Sequence, residues 1–313
     1  MIGSLIHRTD IKCNRAGSER SCPVFDIMIP MKKKERKIKE NKKPRPYAVL
    51  LRLVIIFMIV WGVTWIPVTE RISLDLLPGN DESVRIVLIT DLHSCFYGPG
   101  QRSLIRRVEK EDPDLILLGG DIFDDKLNDE NAKEFVEAVA AEYPCFYVTG
   151  NHEFWGRKVR EVKEYLEGIG VEVLDGRCST VLIGNTYMDI CGVDDPTYMT
   201  MSAWREQLDL AYSKTEESHI KVLLSHRPEL AYIYSQYGFD LICAGHAHAG
   251  QFRIPFTGKG LFAPDQGYMA GYVSGTYELS GGSIMEVSRG LARESTPAPR
   301  FFNHPEVVVL ELK

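Results

Sequence analysis

From residue 84 onward the chain alternates short apolar runs with amphipathic stretches. VRIVLIT (84–90), DLILLGGD (114–121) and CFYVTGNHE (145–153) read as strands that run into polar loops. Four to six consecutive apolar residues bounded by turn-formers suit a strand covered on both faces. RSLIRRVEK (102–110), NAKEFVEAVAAEY (131–143) and KVREVKEYLEGIG (158–170) instead read as amphipathic helices, the last with a glycine stop. VEVL (171–174), TVLIG (180–184), TYMDICGVDD (186–195), HIKVLLSH (219–226), DLICAGHAHAGQ (240–251) and VVVLEL (307–312) continue the strands, with a helix near WREQLDLAY (204–212). Strands alternating with helices predict an α/β architecture.

One apolar stretch breaks this rhythm. Residues 48–68 form a 21-residue run interrupted by a single charge, Arg52. As a helix it would extend about 30 Å, the thickness of a bilayer's hydrocarbon core. Trp61 and Trp65 fall toward its end, where indoles favour the interface. A lysine-rich segment, KKKERKIKENKKPRP (32–46), precedes it. By the positive-inside rule that segment stays cytoplasmic, so a single N-terminal transmembrane helix would place the body outside the cytoplasm. A helix lying in the inner leaflet, with the body cytoplasmic, is the alternative. The organisation expected is therefore a basic head at 1–47, an anchor at 48–68, a linker at 69–83 and a catalytic domain at 84–313. Residues 1–30 show no periodicity, and Met28 or Met31 would serve as a natural start, leaving 1–30 untranslated.

Composition narrows the class. With 44% hydrophobic and 26% charged residues the chain is neither disordered nor low-complexity. The net charge of -6 hides an asymmetry: residues 1–46 carry +8 and the remainder -14. An acidic body argues against a nucleic-acid partner, and it makes any phosphate chemistry dependent on bound cations. Seven cysteines without a CxxC pair read as mostly free thiols.

Clusters rich in His, Asp and Asn recur directly after the apolar strands: DLH, GGDIFD, GNHE, SHRPE and GHAHAG. Carboxyl ends of strands in α/β sheets are where ligands gather. Five of the eight histidines (93, 152, 226, 246 and 248) lie in these clusters. Alternate residues of DLH and HAH would face the same side of an extended strand and could share one centre. Asp, Asn and His suit Mn, Fe, Zn or Co better than a structural thiolate zinc.

Asp91-Leu92-His93, Gly120-Asp121-Ile122-Phe123-Asp124, Gly150-Asn151-His152-Glu153, His226 and Gly245-His246-Ala247-His248 together resemble the signature of the calcineurin-like metallophosphoesterase superfamily. The GHAHAGQ ending, the anchor and the tail VSRGL…RFFNHPEVVVLEL resemble its YkuE/YaeI-type membrane-associated phosphodiesterases. The resemblance implies a four-layer α/β/β/α sandwich and two divalent cations, with Mn expected to serve in vitro. It implies that Asp91, His93 and His248 hold one cation, that Asn151, His226 and His246 hold the second, and that Asp121 bridges both. His152 would be the catalytic imidazole, oriented by Asp124. The reaction implied is hydrolysis of a phosphodiester or pyrophosphate by metal-bound hydroxide, on a membrane lipid or envelope substrate such as UDP-2,3-diacylglucosamine. A soluble nucleotide or cyclic-nucleotide diesterase is the enzymatic alternative, and a non-catalytic metal-binding scaffold the other. Asp125 stands where Ser/Thr protein phosphatases carry Arg, which disfavours that role. Arg289 and Arg300 are candidates for substrate phosphate, or else structural ion pairs. TYMTMSAW (197–204) is a candidate apolar flap or a core-covering loop.

Overall fold

The computed structural model describes residues 46–63, 65–77, 82–255, 257–296 and 298–313. The expected basic head, including the stretch 1–30, lies outside the described residues but for Pro46 and Tyr47. Helix α1 (Pro46–Gly62) leads into β1 (Val68–Leu74) and β2 (Val84–Ile89). Then come α2 (Arg102–Glu109), β3 (Leu115–Gly119), α3 (Glu130–Ala140), β4 (Cys145–Val148), α4 (Asn151–Trp155), α5 (Val159–Gly168) and β5 (Glu172–Val173). The second half runs β6 (Arg177–Ile183), β7 (Thr186–Gly192), α6 (Met201–Tyr212), β8 (Ile220–Leu224), α7 (Ala231–Tyr234) and β9 (Leu241–Ala244). A hairpin of β10 (Phe262–Ala263) and β11 (Gly267–Tyr268) precedes β12 (Gly275–Glu278), β13 (Ile284–Val287) and β14 (Glu306–Leu312).

Two six-stranded sheets result, ordered β1-β14-β2-β3-β4-β5 and β12-β13-β9-β8-β7-β6. β2 to β5 run parallel, β14 runs antiparallel to β2, and β1 runs parallel to β14. Alternation along the strands then sets the layers. Ile86, Leu88, Leu115 and Leu117 meet Met188, Ile190, Val222 and Leu224 in a core between the sheets. Val87, Ile89, Ile116 and Leu118 face the other way, against Leu104 and Val108 of α2, Phe135 of α3 and Leu166 of α5. On the far side Cys191, Leu223 and Ile242 pack with Trp204 and Leu208 of α6. The sandwich is thus α/β/β/α, as the resemblance implies.

Three expectations need correction. The apolar run does not continue as one helix to Val68. α1 is a 17-residue helix, about 25 Å long. Among the described residues no helix is long and apolar enough to cross a membrane. Beyond Gly62 a bridge pairs Val63 with Phe301, Pro67 cannot continue a helix, and Val68 pairs with Glu306. Secondly, the segment expected as a linker opens as a strand, because Thr69–Leu74 pair in register with Val307–Leu312. Thirdly, Cys178 and Cys191 sit opposite one another on β6 and β7 and form a disulfide. Spacing alone could not pair them, since cross-strand adjacency depends on the hairpin register. Cys95, Cys145 and Cys243 are buried free thiols.

β13 carries a buried carboxylic acid. Glu286 is 1% exposed and accepts from Thr276 Oγ1 at 2.7 Å. Burial, reinforced by the charge of Glu306, pushes its pKa up to about 8. A raised folded-state pKa contributes stability below the unfolded value near 4.5 and loses it as pH rises through 8. Glu286→Gln should therefore flatten the decline in stability between pH 5 and pH 9 by a few kcal/mol, read from denaturant midpoints.

Candidate active site

The ligand candidates leave the strands in tight turns rather than in extended backbone. Asp91, His93, Asp121, His246 and His248 all have φ between 45° and 63°. Asp and His tolerate this left-handed region better than most residues, and such strain collects at functional sites. The expected same-side alternation of DLH and HAH is thus corrected: loop curvature, not strand pleat, converges these side chains. The neighbouring glycines make room. A Cβ on Gly150 would lie 2.2 Å from Asp121 Oδ1, and one on Gly245 would lie 2.6 Å from Asp91 Oδ2.

Two groups of ligand atoms emerge. Asp91, His93 and His248 form one, and Asp121, His226 and His246 the other. Asp121 ties them together, its Oδ2 lying 3.2 Å from His226 Nε2 and 3.6 Å from His93 Nε2. Outer contacts set each tautomer. His226 Nδ1 donates to the Gly119 carbonyl at 2.8 Å, and His93 Nδ1 donates to Asp124 Oδ1 at 3.0 Å. Both rings thereby keep the Nε2 lone pair for the centre. His93 Nε2, Asn151 Oδ1, His226 Nε2 and His248 Nδ1 are buried and make no hydrogen bond among the described residues. Four orphaned polar atoms around one centre fit missing cations, because a buried polar group without a partner is costly.

Charge agrees with that fit. Burial works to raise the Asp91 and Asp121 carboxyls, but the surrounding imidazoles hold both below the usual range. Burial would lower His226, yet the charge of Asp121 outweighs it and raises the ring to about 10. His248 is pushed by burial down to about 3 and stays a neutral donor. Without cations, protons balance the buried carboxylates, so cation binding must release them and must weaken as pH falls.

His152 stands at the rim. Its Nδ1 lies 2.7 Å from Asp125 Oδ1 and 3.3 Å from Asp124 Oδ1. Burial opposes its charging, but Asp124, Asp121 and Asp125 together raise it to about 9. The expected orienting residue, Asp124, divides its oxygen between His93 and His152, while Asp125 makes the shorter contact to His152. His93, Asp124 and His152 also form a ligand-like trio, but Asp124 already accepts from His93 Nδ1 and from the backbone N–H of Leu127. Glu153 joins the two motif loops, accepting from the N–H groups of Asp121, Phe123 and Gly150 at 2.9–3.2 Å. Burial, with the charge of Asp121, pushes it up to about 7.

The arginine of this site is Arg227, which the sequence reading did not single out. It is 7% exposed and pairs with Asp195 and with Asp265. Asp265 Oδ2 also lies 2.9 Å from His246 Nε2. Arg227 Nη1 lies 2.9 Å from the same nitrogen, but a guanidinium has no acceptor, so the carboxylate between them receives both protons. That leaves His246 its Nδ1 lone pair. The hydrogen bond from His246 and the charge of Arg227 hold Asp265 down to about 2. Arg289 and Arg300 are elsewhere: Arg289 pairs with Glu70 and Glu306, and Arg300 donates to the carbonyls of Ala292 and Arg289. Neither lines the cavity over the site, which corrects the substrate-binding expectation. That cavity, about 440 Å³, is walled by Asp121, Asn151, His152, Trp155, His248 and Phe262, among others. The 197–204 stretch is no flap across it: Trp204 is buried in the core while Tyr198 is 80% exposed.

The calcineurin-like phosphoesterase model matches residues 84–250, so the chain belongs to that family of phosphoric ester hydrolases. Its members generally use divalent metals. Among curated relatives, the phosphodiesterase YaeI of Escherichia coli is 29% identical over 252 residues, covering 77% of this chain and 87% of that protein. The metallophosphoesterase YkuE of Bacillus subtilis is 26% identical, covering 79% and 86%. A metallophosphoesterase of Helicobacter pylori is 28% identical over 238 residues, and the match spans 74% of this chain but only 60% of that protein.

Asp265→Ala should test how His246 is held. Losing a carboxylate behind a ligating imidazole typically weakens metal binding about 10–100-fold. The readout is Mn²⁺ retained per chain at fixed free Mn²⁺, with circular dichroism unchanged.

Proposed function

We propose that this chain is a phosphohydrolase dependent on two divalent cations, cleaving a phosphodiester or pyrophosphate bond in a membrane-borne substrate. The observation that carries the reading is the pair of ligand groups sharing Asp121, with four buried donors lacking partners, beneath a cavity that His152 borders. Asp91, His93, His248 and Asp121 would hold one cation; Asp121, Asn151, His226 and His246 would hold the other. Bound there, two cations supply Lewis acidity and an activated water nucleophile.

The chain's own residues do the rest. Asp125 and Asp124 orient His152 through Nδ1, leaving Nε2–H to donate to phosphate or to the leaving oxygen. Arg227 is already neutralised by Asp195 and Asp265, so it positions these loops rather than meeting substrate charge.

Membrane attachment rests on α1, whose Leu50, Leu53, Ile56 and Phe57 are each more than half exposed. Such an apolar surface calls for a non-aqueous neighbour, and the lysine-rich flank favours an anionic leaflet. A second reading, a nucleotide diester, draws on Trp155: it is 49% exposed, lines the cavity and lies 4.7 Å from the His152 ring, where a base could stack.

The test compares bis-p-nitrophenyl phosphate with p-nitrophenyl phosphate, in Mn²⁺ and after chelation. Mn²⁺-dependent turnover that favours the diester is expected. Metal-loaded protein that hydrolyses neither would overturn the reading.

A further inference from the structure

Topology places α1 and the metal ligands at the same end of the sandwich. Asp91, Asp121 and Asn151 follow the carboxyl ends of the parallel strands β2, β3 and β4. Because β14 is antiparallel to β2 and β1 is parallel to β14, β1 starts at that end, with Val68 paired to Glu306. α1 therefore enters the body beside the site.

Backbone pairing continues from its base. Val63 bridges to Phe301, and Phe302 N–H donates to the Gly62 carbonyl at 2.6 Å. Phe301 bridges in turn to Phe252, Leu261 N–H donates to the Phe252 carbonyl at 2.7 Å, and Met269 N–H donates to the Leu261 carbonyl at 3.0 Å. Four such steps, at about 4.8 Å each, keep the β10–β11 hairpin within roughly 20 Å of the foot of α1.

This hairpin is unusually apolar outside. Ile254, Leu261, Phe262, Tyr268 and Met269 are 38–78% exposed. Phe262 and Tyr268 pair across it with ring centroids 5.2 Å apart, and Phe262 also walls the cavity. From 252 to 269 the charged residues are Arg253, Lys259 and Asp265. Asp265, at the tip, pairs with His246 and Arg227, which leaves Arg253 and the exposed Lys259 as the hairpin's cations.

We infer that the β10–β11 hairpin is a second membrane-contacting element, which lays its apolar side chains into the bilayer that holds α1 and opens the metal cavity toward lipid. The inference rests on the membrane reading above and adds to it a specific surface. Continuity with the foot of α1 fixes the occupant, because an element so near an embedded helix at the same end of the body shares its interface. Since Asp265 rides on this hairpin, contact with lipid and the setting of His246 involve one and the same turn.

The test uses the full chain with Cys13→Ser and Cys22→Ser, carrying an environment-sensitive fluorophore at Met269→Cys or, as a control, at Lys214→Cys, which follows α6 at the opposite end. Each is bound to phosphatidylglycerol–phosphatidylcholine vesicles with or without spin-labelled acyl chains. We expect the Met269 position to lose most of its emission to the spin label while the Lys214 position keeps it. Protein that floats with the vesicles but shows no greater quenching at 269 than at 214 overturns the inference. Protein that fails to float overturns both it and the membrane reading. Hydrolysis of bis-p-nitrophenyl phosphate by the same samples is scored separately: its absence, with quenching intact, counts against the proposed reaction and leaves the lipid contact standing.

Discussion

Replacing His152 with alanine is expected to lower kcat for the diester about 10²–10⁴-fold, the usual worth of a positioned general acid, while leaving the cation content unchanged. The geometry separates these two effects. His152 touches Asp124 and Asp125 through Nδ1, whereas the orphaned donors belong to His93, Asn151, His226 and His248. Equal loss of cations in His152→Ala would instead make it a ligand, through the trio it forms with His93 and Asp124. The pH profile provides a second readout. An imidazole acting as acid must be protonated, so activity should fall as pH rises through its pKa. That pKa is raised against the pull of burial by Asp124, Asp121 and Asp125, so Asp125→Asn should move the alkaline limb to lower pH. A residue that only packed against the rim would change the rate without moving the limb.

Asp121→Asn is expected to have a larger effect, on stability as well as on function. It removes the carboxylate shared by both ligand groups. Losing several kcal/mol of electrostatic stabilisation at the transition state corresponds to about 10³-fold or more in turnover. Without cations Asp121 is a buried carboxylate, 1% exposed, which the imidazoles of His226, His93 and His152 hold well below the usual range and which in turn keeps His226 protonated. Removing its charge leaves the buried His226 ring without its main counter-charge, and breaking a buried pair from one side is destabilising. The chelated variant should therefore melt below the Tm of the chelated parent. It should also lose the rise on adding Mn²⁺, which for a site filled at about 100 times its Kd amounts to about 2.7 kcal/mol. Thermal melts of parent and variant, each with Mn²⁺ and with chelator, read both effects. A variant that still gains its full Tm increase from Mn²⁺ would show that Asp121 is not shared between the cations.

Much of this was legible in the chain itself. Apolar runs such as 84–90 and 114–121 marked the central strands because burial on both faces demands continuous hydrophobicity. The polar clusters that follow them marked the site, since chemistry at strand ends needs Asp, His and Asn within a few residues. Less was legible where an element owes its existence to a partner. β1 reads as the end of an apolar run and a polar linker, VTERISL, and becomes a strand only because β14 offers an open edge. The β10–β11 hairpin has two residues per strand and is held largely by neighbouring loops, so no period announces it.

The same division runs through the site. The sequence alone determined the ligand types, their order and the α/β frame, because metal chemistry and strand burial both impose local residue patterns. Only the tertiary structure decided which acid holds which histidine. Asp125 rather than Asp124 makes the shorter contact to His152, Asp265 braces His246 from 19 residues away, and Arg227 is neutralised by Asp195 across 32. It also engaged Arg289 with Glu70 and Glu306, engaged Arg300 with backbone carbonyls, and paired Cys178 with Cys191. Such pairings depend on how loops from different strands close over one another, and a one-dimensional pattern carries no information about which loops will meet.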